Sequence, residues 1–189
     1  MMNITVEKLQ ELNACHQGIL EFIDEFPDEI YGLDWTREKQ VEFLLTSPLK
    51  IYFGWVVSKG LIPMWSMAHM DLTGANLKDA DLLGIDLRGA NLEGASLEMA
   101  NLIGAKLTGV NLTGATLEMA NLTGANLGWT NLKWANLTGA NLTWANLGWT
   151  YLVGTNLKGA NLEGANLEGA NLEMANLEMA NLEETIIPF

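Results

Sequence analysis

The stretch "NLGWTNLKWANLTGANLTWANLGWT", residues 126–150, places a leucine at every fifth position. The same spacing extends in both directions without interruption, from Leu72 to Leu182. Alanine stands two residues before most of these leucines and asparagine one residue before, whereas the two residues that follow vary. Residues 1–65 show none of this pattern. A five-residue repeat therefore dominates the chain and decides its fold.

A period of five residues fits neither a helix nor a strand. On an α-helix, five residues advance by about 500°, so successive leucines would face in all directions. On a strand, an odd period would place alternate leucines on opposite faces. A turn in every pentad removes this conflict, because four pentads then close a square coil of twenty residues with each leucine inside. We expect such coils to stack like strands, at a spacing of about 4.8 Å.

These units closely resemble the A-(D/N)-L-x-x repeats of the pentapeptide-repeat family. The resemblance implies an all-β solenoid, a right-handed quadrilateral β-helix of about six coils, which agrees with the closure of four pentads. Some pentads carry another residue in place of the alanine, among them Thr130 and Thr150. These two threonines are one coil apart, so we expect their hydroxyl groups to pair inside the core.

The ends of the repeat divide the chain into three parts, because a solenoid needs caps at its ends. Residues 1–65 contain short helical patterns, which predict a small helical N-terminal domain. The β-helix is predicted over 66–185 and a C-terminal cap over 186–189. We expect three large apolar side chains of this cap to fold over the last coil, or over a second copy of it: Ile186, Ile187 and Phe189.

The composition restricts the class of protein. The chain has 10 basic and 23 acidic residues and a net charge of −13, which repels nucleic acid and anionic membranes. Its single cysteine, Cys15, cannot form an internal disulfide, as is usual in a reducing cytoplasm. The first residues lack the pattern of a secretory signal, and the apolar stretch 51–57 is too short to span a bilayer. We therefore expect an acidic, soluble, cytoplasmic protein that binds neither DNA nor a membrane directly.

Four tryptophans of the opening stretch occupy outward positions of the repeat. We number the four faces of the coil from the one that contains Leu72. Trp129 and Trp149 then fall on the fourth face, one coil apart, beside Gly128 and Gly148, which should leave the rings uncovered. The other two tryptophans fall on the neighbouring faces. The sequence thus predicts an apolar patch on the outside of the rod.

Exposed apolar area of this size often marks an interface, and tryptophan is strongly enriched among the residues that dominate binding. The sequence therefore predicts a binding site for a protein partner of unknown identity, or for a second copy in a homodimer. Aromatic stacking that only stiffens the rod is the alternative explanation. The predicted site consists of Trp129, Trp134, Trp144, Trp149, Tyr151 and Val153.

Acidic residues crowd the C-terminal coils, and the family resemblance gives them a second interpretation. Some members of the family resemble B-form DNA in shape and charge, bind DNA gyrase and protect it from quinolones. Here the segment between Glu118 and Glu163 has no acidic residue, and no loop interrupts a pentad. Both features weigh against DNA mimicry, so we rank it second, as the alternative function. Its acidic surface would consist of Glu163, Glu168, Glu173, Glu178 and Glu183.

Catalytic motifs are missing from the sequence. The two histidines, His16 and His69, belong to no Ser-His-Asp or Cys/His arrangement, and the glycines are turn residues rather than a phosphate-binding loop. Glu98 and Glu118 lie one coil apart, but on an open face without the cleft that tunes an acid. We predict a non-catalytic binding or structural scaffold without a cofactor or a metal.

Overall fold

The computed structural model describes residues 67–187, so the predicted helical domain over 1–65 lies outside the described residues. Residues 67–187 form a quadrilateral β-helix and contain no helix, as the five-residue period predicts. Parallel bridges join residues twenty positions apart, from Asp71 with Asn91 to Asn166 with Ile186. Each strand is a single bridging residue, because a turn begins within the next two residues. None of the described residues belongs to a helix that could span a membrane.

The turns share one backbone conformation. The carbonyl of each central leucine accepts a hydrogen bond from the residue three positions later, as from the amide of Ala125 to Leu122 at 2.9 Å. The second residue after each leucine has a positive φ, between 55° and 69°. A type II turn requires a positive φ at its third residue, which glycine adopts without steric cost. This requirement explains why glycine is the commonest residue at that position.

The core is a set of leucine columns. From Leu72 to Leu167, every central leucine is at most 2% exposed. Burial of each side chain contributes about 2 kcal/mol, which is an upper bound because the unfolded chain already buries part of its surface. The neighbouring alanines are also buried, since a larger side chain would compete with leucine for the inside of the coil. The predicted inward position of the leucines is confirmed for these coils.

The buried threonines satisfy their hydroxyl groups within the wall of the coil. Thr130 Oγ1 donates to the carbonyl of Leu107 at 2.8 Å, and Thr150 Oγ1 donates to that of Leu147 at 2.6 Å. The predicted pairing of the two hydroxyls is therefore wrong. A buried donor needs an acceptor, and in both cases a backbone carbonyl of the coil is that acceptor.

The C-terminal end of the solenoid remains partly open. The predicted cap begins as a further step of the coil, because Ile186 pairs with Asn166 and its amide donates to Ala165 at 2.9 Å. Ile186 and Ile187 are 56% and 44% exposed, and Phe189 lies outside the described residues. Three central leucines of the last coil are only half-buried: Leu172, Leu177 and Leu182.

Candidate functional site

The four tryptophans occupy the turn position that normally belongs to glycine. Their φ angles are 58° to 60°, in the left-handed region. Each tryptophan is 52–60% exposed. Placing an L side chain there costs about 1–2 kcal/mol per residue. Seven other non-glycine residues of the described range share this positive φ, among them Met99 and Met119, so the strain alone does not single out the tryptophans. Their large, exposed aromatic rings make these four the leading candidates: Trp129, Trp134, Trp144 and Trp149.

Within the described part of the chain, the rings of Trp129 and Trp149 form a stacked pair. Their ring centroids are 5.5 Å apart and their planes differ by 8°. Trp149 rests flat on Gly169, because a Cβ atom there would lie 2.6–2.9 Å from the fused-ring carbons. One coil before Trp129, the same turn position is Gly109. A Cβ atom added to Gly109 would have no atom within 4 Å, so no ring covers it. The pair is therefore fixed from one end and open at the other.

The other two tryptophans lie apart from this pair. Trp134 rests on Gly154 and Trp144 on Gly164, each one coil further along the rod. Neither contacts another aromatic ring among residues 67–187. The structure thus brings Trp129 and Trp149 together and leaves the remaining two at separate corners of the coil.

Tyr151 and Val153 flank Trp134 on the first face. Tyr151 replaces the usual asparagine and is 47% exposed, and Lys133 Nζ lies 5.4 Å from its ring centroid. Val153 is half-buried, and its carbonyl accepts the amide of Trp134 at 3.1 Å. These side chains extend the apolar surface around one corner, but they do not reach the stacked pair by direct ring contact.

A shallow groove runs along the fourth face beside the stacked pair. Its volume is about 340 Å³. Gly128 and Gly148 are buried on its floor, so they open space beside the rings as well as leaving them uncovered. The groove borders are Thr108, Asn126, Trp129, Asn146, Trp149, Asn166 and Glu168.

The groove was not predicted from the sequence, although the order of residues in two pentads indicates it. In most pentads a side chain follows the leucine and glycine comes next, whereas "NLGWT" reverses this order at 126–130 and again at 146–150. Gly128 and Gly148 have no positive φ, so the turn does not require glycine there. Because the two copies are twenty residues apart, the missing side chains lie above one another and form a continuous groove.

Charged groups of the fourth face lie at the ends of the groove, since exposed Lys106 pairs with Asn126 and Glu168 borders the other end. Near the N-terminal end of the described range, a hydrogen bond from Arg88 lowers the pKa of Asp86 to about 2. Lys78 Nζ lies 2.9 Å from Glu98, which raises the pKa of the lysine. Near the other end, the acidic surface predicted for DNA mimicry is partly paired, since Lys158 Nζ contacts a carboxylate of the last coil at 3.0 Å. Residues 67–187 contain no group of three or more His, Cys, Asp or Glu side chains that could hold a metal.

Comparison with known proteins agrees with this geometry. The sequence profile of the family described as pentapeptide repeats (8 copies) matches residues 71–109, 100–139, 117–154, 140–178 and 150–187. No match is found among curated proteins.

Solved structures similar to this chain include the pentapeptide repeat protein Rfr23 from the cyanobacterium Cyanothece 51142, with 35% identity and a TM-score of 0.37. The match covers 62% of this chain and 63% of Rfr23, which is less than two thirds of that protein. A pentapeptide repeat protein from the Arabidopsis thaliana thylakoid lumen is 34% identical over 58% of this chain and 73% of its own, with a TM-score of 0.37.

QnrB1, a plasmid-mediated fluoroquinolone resistance protein, is 16% identical, with a TM-score of 0.36. That match covers 62% of this chain and 72% of QnrB1. Because the family profile matches well over half of the chain, and every matched pentad has its leucine in the coil, the protein belongs to the pentapeptide-repeat family and adopts its right-handed quadrilateral β-helix.

Proposed function

We propose that the protein is a non-catalytic, cytoplasmic protein-binding scaffold whose contact surface is centred on Trp129 and Trp149. The observation that carries this proposal is an exposed, stacked tryptophan pair held at positive φ. Rigid aromatic side chains lose little conformational entropy on binding, so affinity should concentrate there. Trp134, Tyr151 and Val153 would widen the contact around the adjacent corner, and Trp144 would extend it on the other side.

Stacking alone does not account for the pair. Aromatic stacking contributes about 0.5–1.5 kcal/mol beyond the apolar area that the rings bury. Holding Trp129 and Trp149 in the left-handed region costs about 1–2 kcal/mol for each residue, or about 2–4 kcal/mol for the pair. Glycine at both positions would build the same turn without this strain. A partner that covers the half-exposed rings would add burial that the free protein lacks.

The test compares association of the wild type with that of the double variant Trp129→Thr/Trp149→Thr. Both changes remove the rings and keep a side chain in the turn. Because threonine is β-branched and fits a positive φ less well than tryptophan, a thermal melt of the variant has to accompany the binding measurement. We expect association with a captured partner to weaken by at least about 2 kcal/mol, or about thirty-fold, with the fold retained. Trp fluorescence of the wild type should shift to the blue when the partner covers the pair. If the variant loses thermal stability but keeps its partner and oligomeric state, the pair is only a structural ladder.

A second copy of the chain is another partner that this surface, or the open C-terminal end, could accept. The half-buried leucines of the last coil favour contact at that end. Its exposed carboxylates oppose such contact at low salt, because like charges would meet: Glu173, Glu178, Glu183 and Glu184. Analytical ultracentrifugation at low and high salt measures the dimer dissociation constant. If the dimer forms through the C-terminal end, this constant should fall as the salt concentration rises, because salt screens the like charges.

The second candidate function is DNA mimicry by the acidic C-terminal coils. The observation in its favour is the concentration of glutamates there, together with the predominance of acidic residues in the chain. The segment between Glu118 and Glu163 has no acidic residue, so the surface lacks the continuous negative charge that a DNA mimic needs. We expect no inhibition of gyrase supercoiling at micromolar protein. Salt-sensitive inhibition that disappears when Glu163, Glu168 and Glu173 are neutralised would reverse this ranking.

A further inference from the structure

The groove beside Trp129 and Trp149 points to a particular class of ligand. We propose that it binds a proline-rich peptide segment in the polyproline II conformation, with a basic side chain at the end next to Glu168. This inference rests on the proposed function, since it specifies the chemistry of the partner at the same tryptophan pair. It follows from the hydrogen-bonding groups that line the groove, from their spacing and from their charge.

The groove has free N–H donors at both of its ends. The side-chain oxygen of each bordering asparagine accepts the amide of the residue two positions later, at 2.9–3.1 Å. One Nδ2 group, that of Asn146, donates along the ladder to Asn126 at 3.2 Å. The Nδ2 groups of Asn126 and Asn166 donate to no atom of the described residues. A ligand rich in hydrogen-bond acceptors is complementary to these two donors.

A proline-rich segment has this composition, because proline keeps its carbonyl but lacks an N–H group. The spacing also agrees. Polyproline II has three residues per turn and rises by 3.1 Å per residue, so carbonyls on one side recur about every 9.3 Å. Asn126 and Asn166 are two coils apart, which corresponds to about 9.6 Å. Proline rings also pack well in shallow grooves with aromatic walls, like the one that Trp129 and Trp149 form.

The charge of the groove restricts the ligand further. Glu168 borders one end and is exposed, and the chain carries a net charge of −13. The net charge opposes a nucleic-acid ligand, and Glu168 attracts an arginine or lysine at its own end of the groove. Exposed Lys106, which pairs with Asn126 at the opposite end, would repel a basic residue there, so the basic residue of the ligand lies next to Glu168. A proline-rich segment with a terminal basic residue satisfies both the donors and the carboxylate.

The groove can be filled without disturbing the turn. Thr123 and Thr138 occupy the same position in their pentads and keep the same hydrogen bond to the preceding asparagine, at 3.2 and 3.1 Å. The double variant Gly128→Thr/Gly148→Thr should therefore fold, which a circular dichroism melt would verify. It retains both tryptophans and places two side chains on the floor of the groove.

Isothermal titration with a synthetic peptide of seven prolines and a C-terminal or N-terminal arginine tests the proposal. We expect saturable binding by the wild type and a loss of about ten-fold or more in the groove-filled variant. Met99→Thr, which removes an exposed apolar side chain from the same turn position on the second face, should leave the affinity unchanged. Glu168→Gln should weaken binding of the arginine peptide several-fold and leave binding of an uncharged proline peptide unaffected.

Three results would overturn the inference. They are no saturable binding at about millimolar peptide, equal binding by the groove-filled variant, and binding of a neutral hexasaccharide in place of the peptide. Its failure is distinguishable from failure of the proposed function. If the groove-filled variant retains the protein partner that Trp129→Thr/Trp149→Thr loses, the tryptophan surface binds a partner but the groove does not recognise proline.

Discussion

The contact between Trp149 and Gly169 gives a prediction that separates two roles of glycine in the repeat. Gly169 and Gly159 both occupy the turn position with positive φ, at 67° and 65°. A Cβ atom on Gly169 would lie 2.6–2.9 Å from ring carbons of Trp149, whereas one on Gly159 would meet no atom within 4 Å. Alanine at either position suffers the same backbone strain. Only alanine at 169 also collides with a ring.

The expected magnitudes follow from these two effects. The left-handed conformation costs alanine about 1–2 kcal/mol, and the stiffer unfolded chain offsets about 0.4–1 kcal/mol of this. Gly159→Ala should therefore destabilise the protein by about 1 kcal/mol. Overpacking adds about 1–3 kcal/mol, so Gly169→Ala should cost about 2–4 kcal/mol. Guanidinium unfolding followed by circular dichroism measures both values.

A double-mutant cycle with Trp149→Thr isolates the collision. Once the ring is removed, Gly169→Ala should cost about as much as Gly159→Ala. The coupling between Trp149 and Gly169 should then be at least about 1 kcal/mol, well above the 0.3–0.5 kcal/mol expected for independent sites. Equal costs of the two glycine substitutions in the wild type would refute the argument, because the ring would not rest on Gly169 in solution.

Three further predictions concern the strain, the core and the charges. At position 134, Trp134→Gly should be more stable than Trp134→Thr by about 1 kcal/mol in thermal unfolding, since only glycine relieves the positive φ. Leu127→Asp should unfold or shorten the β-helix, because Leu127 is 0% exposed. Thr138→Asp should cost much less, about 1 kcal/mol, because Thr138 is half-buried and loses only the hydroxyl that donates to Asn136. The hydrogen bond from Arg88 holds the Asp86 pKa at about 2, below its usual 3.8, so this pair stabilises the fold above the unfolded pKa and loses its effect as pH falls from about 4 towards 2. Arg88→Met should raise that pKa towards its usual value in an NMR titration and remove this part of the acid sensitivity.

The sequence predicts the path of the backbone better than the contacts of its side chains. The leucine period requires the square coil, because helix and strand both fail geometrically, and it also places Trp129 and Trp149 in one column. It does not specify side-chain rotamers. Thr130 and Thr150 are column neighbours as expected, yet both hydroxyls turn to carbonyls of the wall. A shared column therefore predicts proximity but does not predict a bond.

The groove and the stack depend on one feature, the twenty-residue distance between the two "NLGWT" copies. A distance of fifteen or twenty-five residues would preserve every buried leucine but place Trp149 on a different face from Trp129. The rings would then not stack, and Gly128 and Gly148 would form two separate notches. Stability of the core sets no preference among these distances, since each is a whole number of pentads. The spacing that occurs aligns the rings and the groove, which the proposed binding surface and a stabilising stack both require, so the association and thermal stability of Trp129→Thr/Trp149→Thr have to separate the two.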